Sequence, residues 1–330
     1  MQKFVMMIGL PGSGKDYYIA HNDTFNNWGI VSTDQIRIDN GYKQGTKEDV
    51  FQIARNKIID SLSLGKNVVF NATNLQRKFR MNLLTEIHAK FSKVVCEAHV
   101  IIVPIKLCKE QNAKRDKFGC VPEEVIDHMV RSFQIPLEKE GFNKITYLYP
   151  NREAYCTIKG NYYYDIMDKY KSVDLQILNS FDQDNPFHTM TLGEHMQAAY
   201  NYVIRHINRI DPFSGEVNPL IEAAKYHDIG KLITKGYRDR KGRPTETAHY
   251  YGHENAGAYL ILSEFPFLFA GGHSHEHYIK MATYVNFHMR VSFTWRQYPN
   301  GKCAKREKKL FNDFDLQCLE LLGEADRQAH

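Results

Sequence analysis

Apolar residues in the first half of the chain follow two rhythms. Lys3 to Ile8, Gly29 to Ser32, Asn67 to Phe70 and Val94 to Val103 are short runs rich in β-branched and other apolar side chains, and they read as strands. Between them the period lengthens. Val50, Ile53, Ala54, Ile58 and Leu62 repeat at helical spacing across Thr46 to Leu64, with Gly65 placed to stop the helix, and Gln76 to Phe91 is a further helix. A glycine loop after the first strand leads into a helix ending near Ala20. Strand and helix in alternation predict a parallel sheet with helices on both faces. After Pro150 the pattern changes. Asn151 to Pro186 is Tyr-rich with polar turns, and from Thr191 the stretches are helical, roughly 191–208, 216–230, 252–264, 276–287 and 309–328. Long strands are absent there, so the second part is expected to be all-α. The expected layout is a domain over 1–150, a connector over 151–185 and a domain over 186–330.

Composition adjusts this picture little. A chain of 330 residues with 43% hydrophobic positions has enough apolar material for two packed cores. The formal charge of +5 permits a polyanionic partner without proving one. Two local clusters say more: Lys302, Lys305, Arg306, Lys308 and Lys309, and Lys235, Arg238, Arg240, Lys241 and Arg243. Either is a solvated loop or a set of phosphate-backbone contacts. The 6 cysteines form no CxxC pair, which argues against a zinc ribbon and for reduced thiols. The apolar run from Phe4 to Leu10 is too short for a signal-peptide core, and no stretch reaches ~20 apolar residues, so a cytoplasmic protein without a membrane span is expected.

The most specific motif is Gly9-Leu10-Pro11-Gly12-Ser13-Gly14-Lys15-Asp16, which fits GxxxxGK between a strand and a helix. Gly9, Gly12 and Gly14 let backbone N–H groups approach phosphates, the helix aims its positive end at them, and Lys15 reaches the β/γ-phosphates. The Ser/Thr that usually follows the lysine and holds Mg²⁺ is Asp16 here. A carboxylate is also a hard oxygen ligand, so Asp16 is a candidate metal support. The third strand ends Phe70-Asn71-Ala72-Thr73-Asn74, with no acidic residue at its tip. The second strand runs into Asp34 and Arg37, at the strand end that faces the ligand crevice of such sheets. There Asp34 could take the proton of an attacking hydroxyl and Arg37 hold an acceptor phosphate. Asn112-Ala113-Lys114-Arg115 is a candidate lid, with Arg115 over the transferred phosphoryl group.

In these residues, and in the Thr73-Asn74-Leu75 turn, the stretch 1–150 resembles the polynucleotide 5′-kinase family. The resemblance implies an α/β P-loop kinase domain using ATP with Mg²⁺. Asp34 would be the general base for a 5′-OH, and Arg37 and Asn74 acceptor contacts. Ser13, Lys15 and Arg115 would act on the ATP phosphates. Asp16 and Ala72 depart from the family pattern.

The 15 histidines are unevenly placed. His227-Asp228-Ile229-Gly230-Lys231 marks a helix end. His195, His253, His288 and Asp326 lie on separate expected helices. Imidazole and carboxylate donors converging in a bundle suit Zn²⁺, Mn²⁺, Fe²⁺, Co²⁺ or Ni²⁺. His273, His275 and His277 lie near His288 and compete with it. The set, with Asn185-Pro186-Phe187-His188 before it, resembles the HD phosphohydrolase superfamily over about 185–330. That implies an all-α HD domain in which His195, His227, Asp228 and Asp326 are the defining ligands. His253 and His288 would belong to a second metal, Asp228 would bridge, and water activated there would attack phosphorus. Lys231 and His188 are candidate phosphate contacts.

The two resemblances together imply an enzyme that heals RNA or DNA ends, phosphorylating 5′-OH and removing 2′,3′-cyclic or 2′/3′ phosphate, with a separate ligase to seal. A nucleoside or nucleotide kinase fused to an HD nucleotidase, and an ATP-sensing module regulating an HD phosphohydrolase, stay open at this point. The metal, the preference for RNA or DNA, and the oligomeric state are not legible.

Overall fold

Phe4 to Ile8 are almost fully withdrawn from solvent, as a strand must be when helices cover both faces of its sheet. The computed structural model describes residues 1–42, 50–116, 119–149, 176–186, 189–210, 217–268 and 273–329. They divide into two units, Met1–Val130 with Pro136–Pro150 and Arg131–Ile135 with Asn151–His330.

The first unit is a five-stranded sheet of β1 (Lys3–Ile8), β2 (Gly29–Ser32), β3 (Val68–Asn71), β4 (Val95–Ile101) and β5 (Lys144–Leu148), ordered β2-β3-β1-β4-β5. Every pairing is parallel. Its helices are α1 (Lys15–Ala20), α2 (Thr33–Asp39), α3 (Val50–Ser63), α4 (Arg77–Lys90), α5 (Ile105–Ala113) and α6 (Glu123–Val130). The expected strands and helices of this half are present, except that residues 46–49 of the Thr46 helix lie outside the described residues. β5 is an addition: a short, half-buried edge strand offers neither an apolar run nor a clear alternation. Because all strands point the same way, the carboxyl ends of β1, β2 and β3 open on one edge of the sheet, where ligands of such folds collect. A buried ionic cluster props that edge. Arg80 and Arg77 both meet Glu140, at 2.7 and 3.1 Å, and Arg80 also donates to the Asn74 and Leu75 carbonyls at 3.1 and 2.9 Å.

The second unit is helix-rich. It holds α7 (Gln176–Ser180), α8 (Leu192–His206), α9 (Asn218–Tyr226), α10 (Lys231–Thr234), α11 (His253–Leu268), α12 (His275–Met289), α13 (Lys302–Lys308) and α14 (Asp313–Gln328). A π-helical turn, Arg290–Trp295, extends α12. One feature adds to the all-helical expectation: an antiparallel hairpin of β6 (Gly236–Arg238) and β7 (Pro244–His249) between α10 and α11. Caps fix the helix starts. Thr191 and Glu194 form a reciprocal capping box on α8, and Asn312 caps α14. The segment Arg131–Ile135 packs inside this unit. Phe133 meets the Tyr259 ring edge-on at 5.1 Å, and Asn286 receives and donates hydrogen bonds at the Ile135 N–H and the Phe133 carbonyl.

Candidate functional site

In the first unit, the loop after β1 wraps a cleft of about 360 Å³ at the sheet's carboxyl edge. Gly12 sits at φ 74° with the Cys108 carbonyl 2.1 Å from where a Cβ would stand, so α5 approaches the loop as only glycine allows. The Gly9 N–H donates to the Thr73 carbonyl at 3.1 Å, fastening the loop to the end of β3. Lys15 is buried under the loop, and its Nζ donates to the Leu10 and Gly9 carbonyls at 2.7 and 3.1 Å and to Ser13 Oγ at 3.4 Å. Burial lowers its pKa to about 8, with Asp16, Cys108 and Asp34 opposing the fall.

Across the cleft Asp34 stands in the first turn of α2, whose N-cap Ser32 accepts from the Gln35 N–H. Arg37 reaches Asp34 Oδ1 at 3.1 Å from one turn along, and Arg115 reaches Oδ2 at 3.0 Å from beyond α5. Asn112 steadies that region by bonding both the N–H and the carbonyl of Val121, at 3.0 and 2.7 Å. Lys15, Asp16, Asp34, Arg37 and Arg115 all line the cleft. Asp16 Oδ1 accepts from the Asn71 amide at 2.6 Å, and its other oxygen lies 3.8 Å from Arg115. Asn71 therefore replaces the acidic strand tip by orienting the carboxylate that follows the lysine. This pair was not legible in the sequence, because the residues are 55 positions apart. The glycine loop, Lys15 and the Asp16 oxygen turned away from Asn71 fit a triphosphate with Mg²⁺.

Asn74, expected as an acceptor contact, stands apart from the other residues of the set. It does not line the cleft. Its buried amide donates to the Met7 carbonyl at 2.8 Å, and its backbone holds φ 48°. Asn tolerates that left-handed geometry better than most residues, so Asn74 shapes the β3 turn from behind.

In the second unit, α9 ends at Tyr226 and the chain turns sharply at once, with the Ile229 N–H bonding to the Tyr226 carbonyl and the Lys231 N–H to the Asp228 carbonyl. The turn carries both His227 and Asp228 inward. Gly230 makes it possible: a Cβ there would lie 2.0 Å from the His253 carbonyl at the start of α11. Asp228 thus stands between two groups of donors. Its Oδ2 faces His195 Nε2 at 3.3 Å and His227 Nε2 at 3.6 Å, and its Oδ1 faces His253 Nε2 at 3.0 Å and His288 Nε2 at 3.4 Å. Asp326 completes the first group, 3.3 Å from His195 and 3.5 Å from His227.

All four imidazoles are anchored alike. Each Nδ1 lies against a backbone carbonyl: His195 on Ala329, His227 on Ala224, His253 on Tyr250 and His288 on Val285, at 2.7–2.9 Å. A neutral ring that donates outward through Nδ1–H turns its Nε2 lone pair inward, the form in which it can bind a metal. Yet Nε2 of His195 lies 3.1 Å from that of His227, and Nε2 of His253 lies 3.2 Å from that of His288. Ring nitrogens facing each other at that distance need either a shared proton or a cation between them. The carboxylates ask for the same. Burial alone would lower the His195 pKa, but hydrogen bonds to Asp228 and Asp326 carry it up to about 10. Burial opposes ionisation of Asp228, and Lys231, His227 and His253 outweigh it and hold the carboxyl well below the usual range. The donors fit divalent transition ions, in a group of four and a group of three sharing Asp228.

Lys231 is buried beside Asp228, Nζ to Oδ2 2.7 Å, and also donates to Gln183 at 2.7 Å. His188 lies outside the described residues. Of the competing histidines, His288 reaches Asp228. His273 and His277 gather instead around Glu222, a grouping that sequence spacing did not reveal. Ser292, on the π-helical turn, donates to Asp326 Oδ2 at 2.8 Å and was likewise not foreseen.

Fold and cleft together define the first unit as a kinase-like P-loop domain, and the second as a helix-rich unit with histidine–aspartate groups able to hold metal. A family model described as AAA domain matches residues 4–136. Among curated proteins, the chain is 29% identical over 162 residues to transcription factor bHLH140 of Arabidopsis thaliana, over 46% of this chain and 16% of that protein. The chain thus spans about a sixth of that relative's length. Among solved structures, a Pnkp1/Rnl/Hen1 complex aligns over 36% of this chain and 44% of its own, at 21% identity and a TM-score of 0.28. A gluconokinase from Sinorhizobium meliloti 1021 aligns over 46% and 83%, at 13% identity and 0.33. A sugar kinase from Janibacter sp. HTCC2649 aligns over 45% and 86%, at 18% identity and 0.34. No helix among the described residues is long and apolar enough to cross a membrane.

Proposed function

We propose that the chain is a bifunctional nucleic-acid end-healing enzyme, with an ATP-dependent polynucleotide 5′-hydroxyl kinase in the first unit and an HD-type phosphohydrolase in the second. The observation that carries the kinase half is that Asp34 and Arg37 line the same cleft as Lys15, with Arg115 beside Asp34. Lys15 holds the β/γ-phosphates. Asp34 accepts the proton of the 5′-OH as its oxygen attacks the γ-phosphorus and the bond to ADP breaks. Arg37 holds the acceptor's first phosphate. Arg115, now on Asp34, moves its charge to the phosphoryl group in transit, which also frees the Asp34 carboxylate to act as base. Asp16, oriented by Asn71, supports Mg²⁺.

The hydrolase half rests on the shared Asp228 and the four inward Nε2 atoms. His195, His227, Asp228 and Asp326 would hold one divalent ion, and Asp228, His253 and His288 a second. Such ions supply Lewis acidity and lower the pKa of water. Lys231 keeps Asp228 ionised and brings a cation to the 2′,3′-cyclic or terminal phosphate. RNA or DNA ends are the partners in this reading, with a separate ligase acting afterwards.

The test uses a short RNA bearing a 5′-OH and a 2′,3′-cyclic phosphate, with ATP, Mg²⁺ and Mn²⁺. Lys15→Ala is expected to lose 5′ phosphorylation alone and Asp228→Ala to lose 3′-end processing alone. Wild-type protein that processes neither end, yet phosphorylates or hydrolyses mononucleosides and mononucleotides, would replace this reading with nucleotide metabolism.

A further inference from the structure

Outside the Asp228 centre, Glu222, on α9, meets two histidines at the start of α12. Its Oε1 lies 2.8 Å from His273 Nε2 and its Oε2 3.0 Å from His277 Nε2. The two imidazoles stack face to face, with centroids 3.9 Å apart and planes 6° from parallel, so both nitrogens point at the same carboxylate. The arrangement is locally built. Ser274 caps α12 by accepting from the His277 N–H, which sets His273 before the helix and His277 one turn inside it. Beside them lies the Tyr278 ring, 5.7 Å from that of His277, and its buried hydroxyl has no hydrogen-bond partner among the described residues. Burial first, and the Glu222 carboxylate second, push it up to about 12. A buried hydroxyl left without a partner calls for an explanation, and a species bound at the neighbouring donor set would supply one.

We propose that Glu222, His273 and His277 form a third divalent transition-metal site, separate from the Asp228 centre. Two imidazoles and one carboxylate are borderline donors of the kind Zn²⁺ and its neighbours take, and they leave a further position for water. Bonds of about 2 Å to such an ion bring donors within roughly 3–4 Å of one another. The two separations, 2.8 and 3.0 Å, lie at or just below the bottom of that range, so a small opening of the cluster would admit an ion. The site also has a place in the architecture. α9 runs on to His227 and α12 runs on to His288, whose rings lie 5.2 Å apart. An ion at Glu222 therefore ties together, at a second point, the two helices that present ligands to the Asp228 centre. The proposal does not depend on the end-healing reading.

The experiment counts ions on the full chain. Protein stripped with a chelator is re-equilibrated with Zn²⁺, desalted and analysed for zinc. Glu222→Gln and His277→Ala are each expected to carry about one ion per chain fewer than wild type, and His277→Cys, which keeps a zinc donor, to recover it. Asp228→Asn, which weakens the other centre, should still show the decrement when His277→Ala is added. Equal zinc contents in wild type, Glu222→Gln and His277→Ala overturn the proposal. They would mean that the two imidazoles merely donate hydrogen bonds to Glu222. Should Asp228→Asn fail to fold, the comparison of wild type with the variants at these partly exposed positions still decides.

Discussion

Lys15 shows how much a single buried charge controls. Its ammonium lies under the glycine loop on carbonyl partners, and its pKa falls to about 8 because water has been removed around it. A bound phosphate favours the charged form, so nucleotide binding should raise that pKa again. The sign follows. Below about pH 7 the lysine is already charged and binding takes up no proton. Between about pH 8 and 9 binding takes up a proton and affinity falls as pH rises. Calorimetry of ATP binding in buffers of different ionisation heat would show it, and proton uptake that stays flat across that window would contradict the burial argument. Asn74 makes the opposite case. Its conformation and its bond to Met7 are structural, so Asn74→Ala should cost about 1–3 kcal/mol in denaturant melts and leave the acceptor KM nearly unchanged. A KM rise of tenfold without loss of stability would return Asn74 to the acceptor site.

At the level of elements, what was legible in the sequence was what repeats or sits close in the chain. The strand runs, the glycine loop, Asp34 with Arg37, and His227 with Asp228 are local patterns, and the elements around them formed where expected. The rest depends on meetings that no spacing encodes. Asn71 orients Asp16 only because β3 pairs beside β1. β5 is an edge strand of 5 residues with mixed exposure, too short to declare a period. The β6–β7 hairpin is polar along most of its length and resembles a loop. The π-helical turn Arg290–Trp295 is another such case, and it has a measurable role. It delivers Ser292 to Asp326, a hydrogen bond that fixes which carboxylate oxygen faces His195 and His227. Ser292→Ala should therefore weaken metal binding by about 10–100-fold while the helices persist. Competition against a chromophoric chelator would measure it, and unchanged affinity would show that the π-turn only packs.

For the whole molecule, the two proposed chemistries occupy separate units, so conditions that affect one should spare the other. If divalent ions are held by the proposed centre, removing them leaves the four Nε2 atoms and two carboxylates of the second unit without the positive charge between them. Any ion bound only to the folded state stabilises by mass action, about 4 kcal/mol at a thousandfold excess over Kd. Scanning calorimetry with and without chelator should show the transition of the helix-rich unit falling by several degrees, with that of the P-loop unit little changed in the absence of nucleotide. A single transition that shifts as a whole would mean that the units unfold together.

The short excursion Arg131–Ile135 bears on how the protein can be taken apart. The chain leaves the P-loop unit after Val130, lodges Phe133 and Ile135 among the helices of the other, and returns at Pro136 to build β5. The backbone therefore passes from one unit to the other more than once. A protein cut after residue 150 would keep its β-sheet but leave two fully buried apolar side chains with no cover, and the helical remainder would have a groove where they had been. Expression of either half alone should give sticky, poorly behaved material.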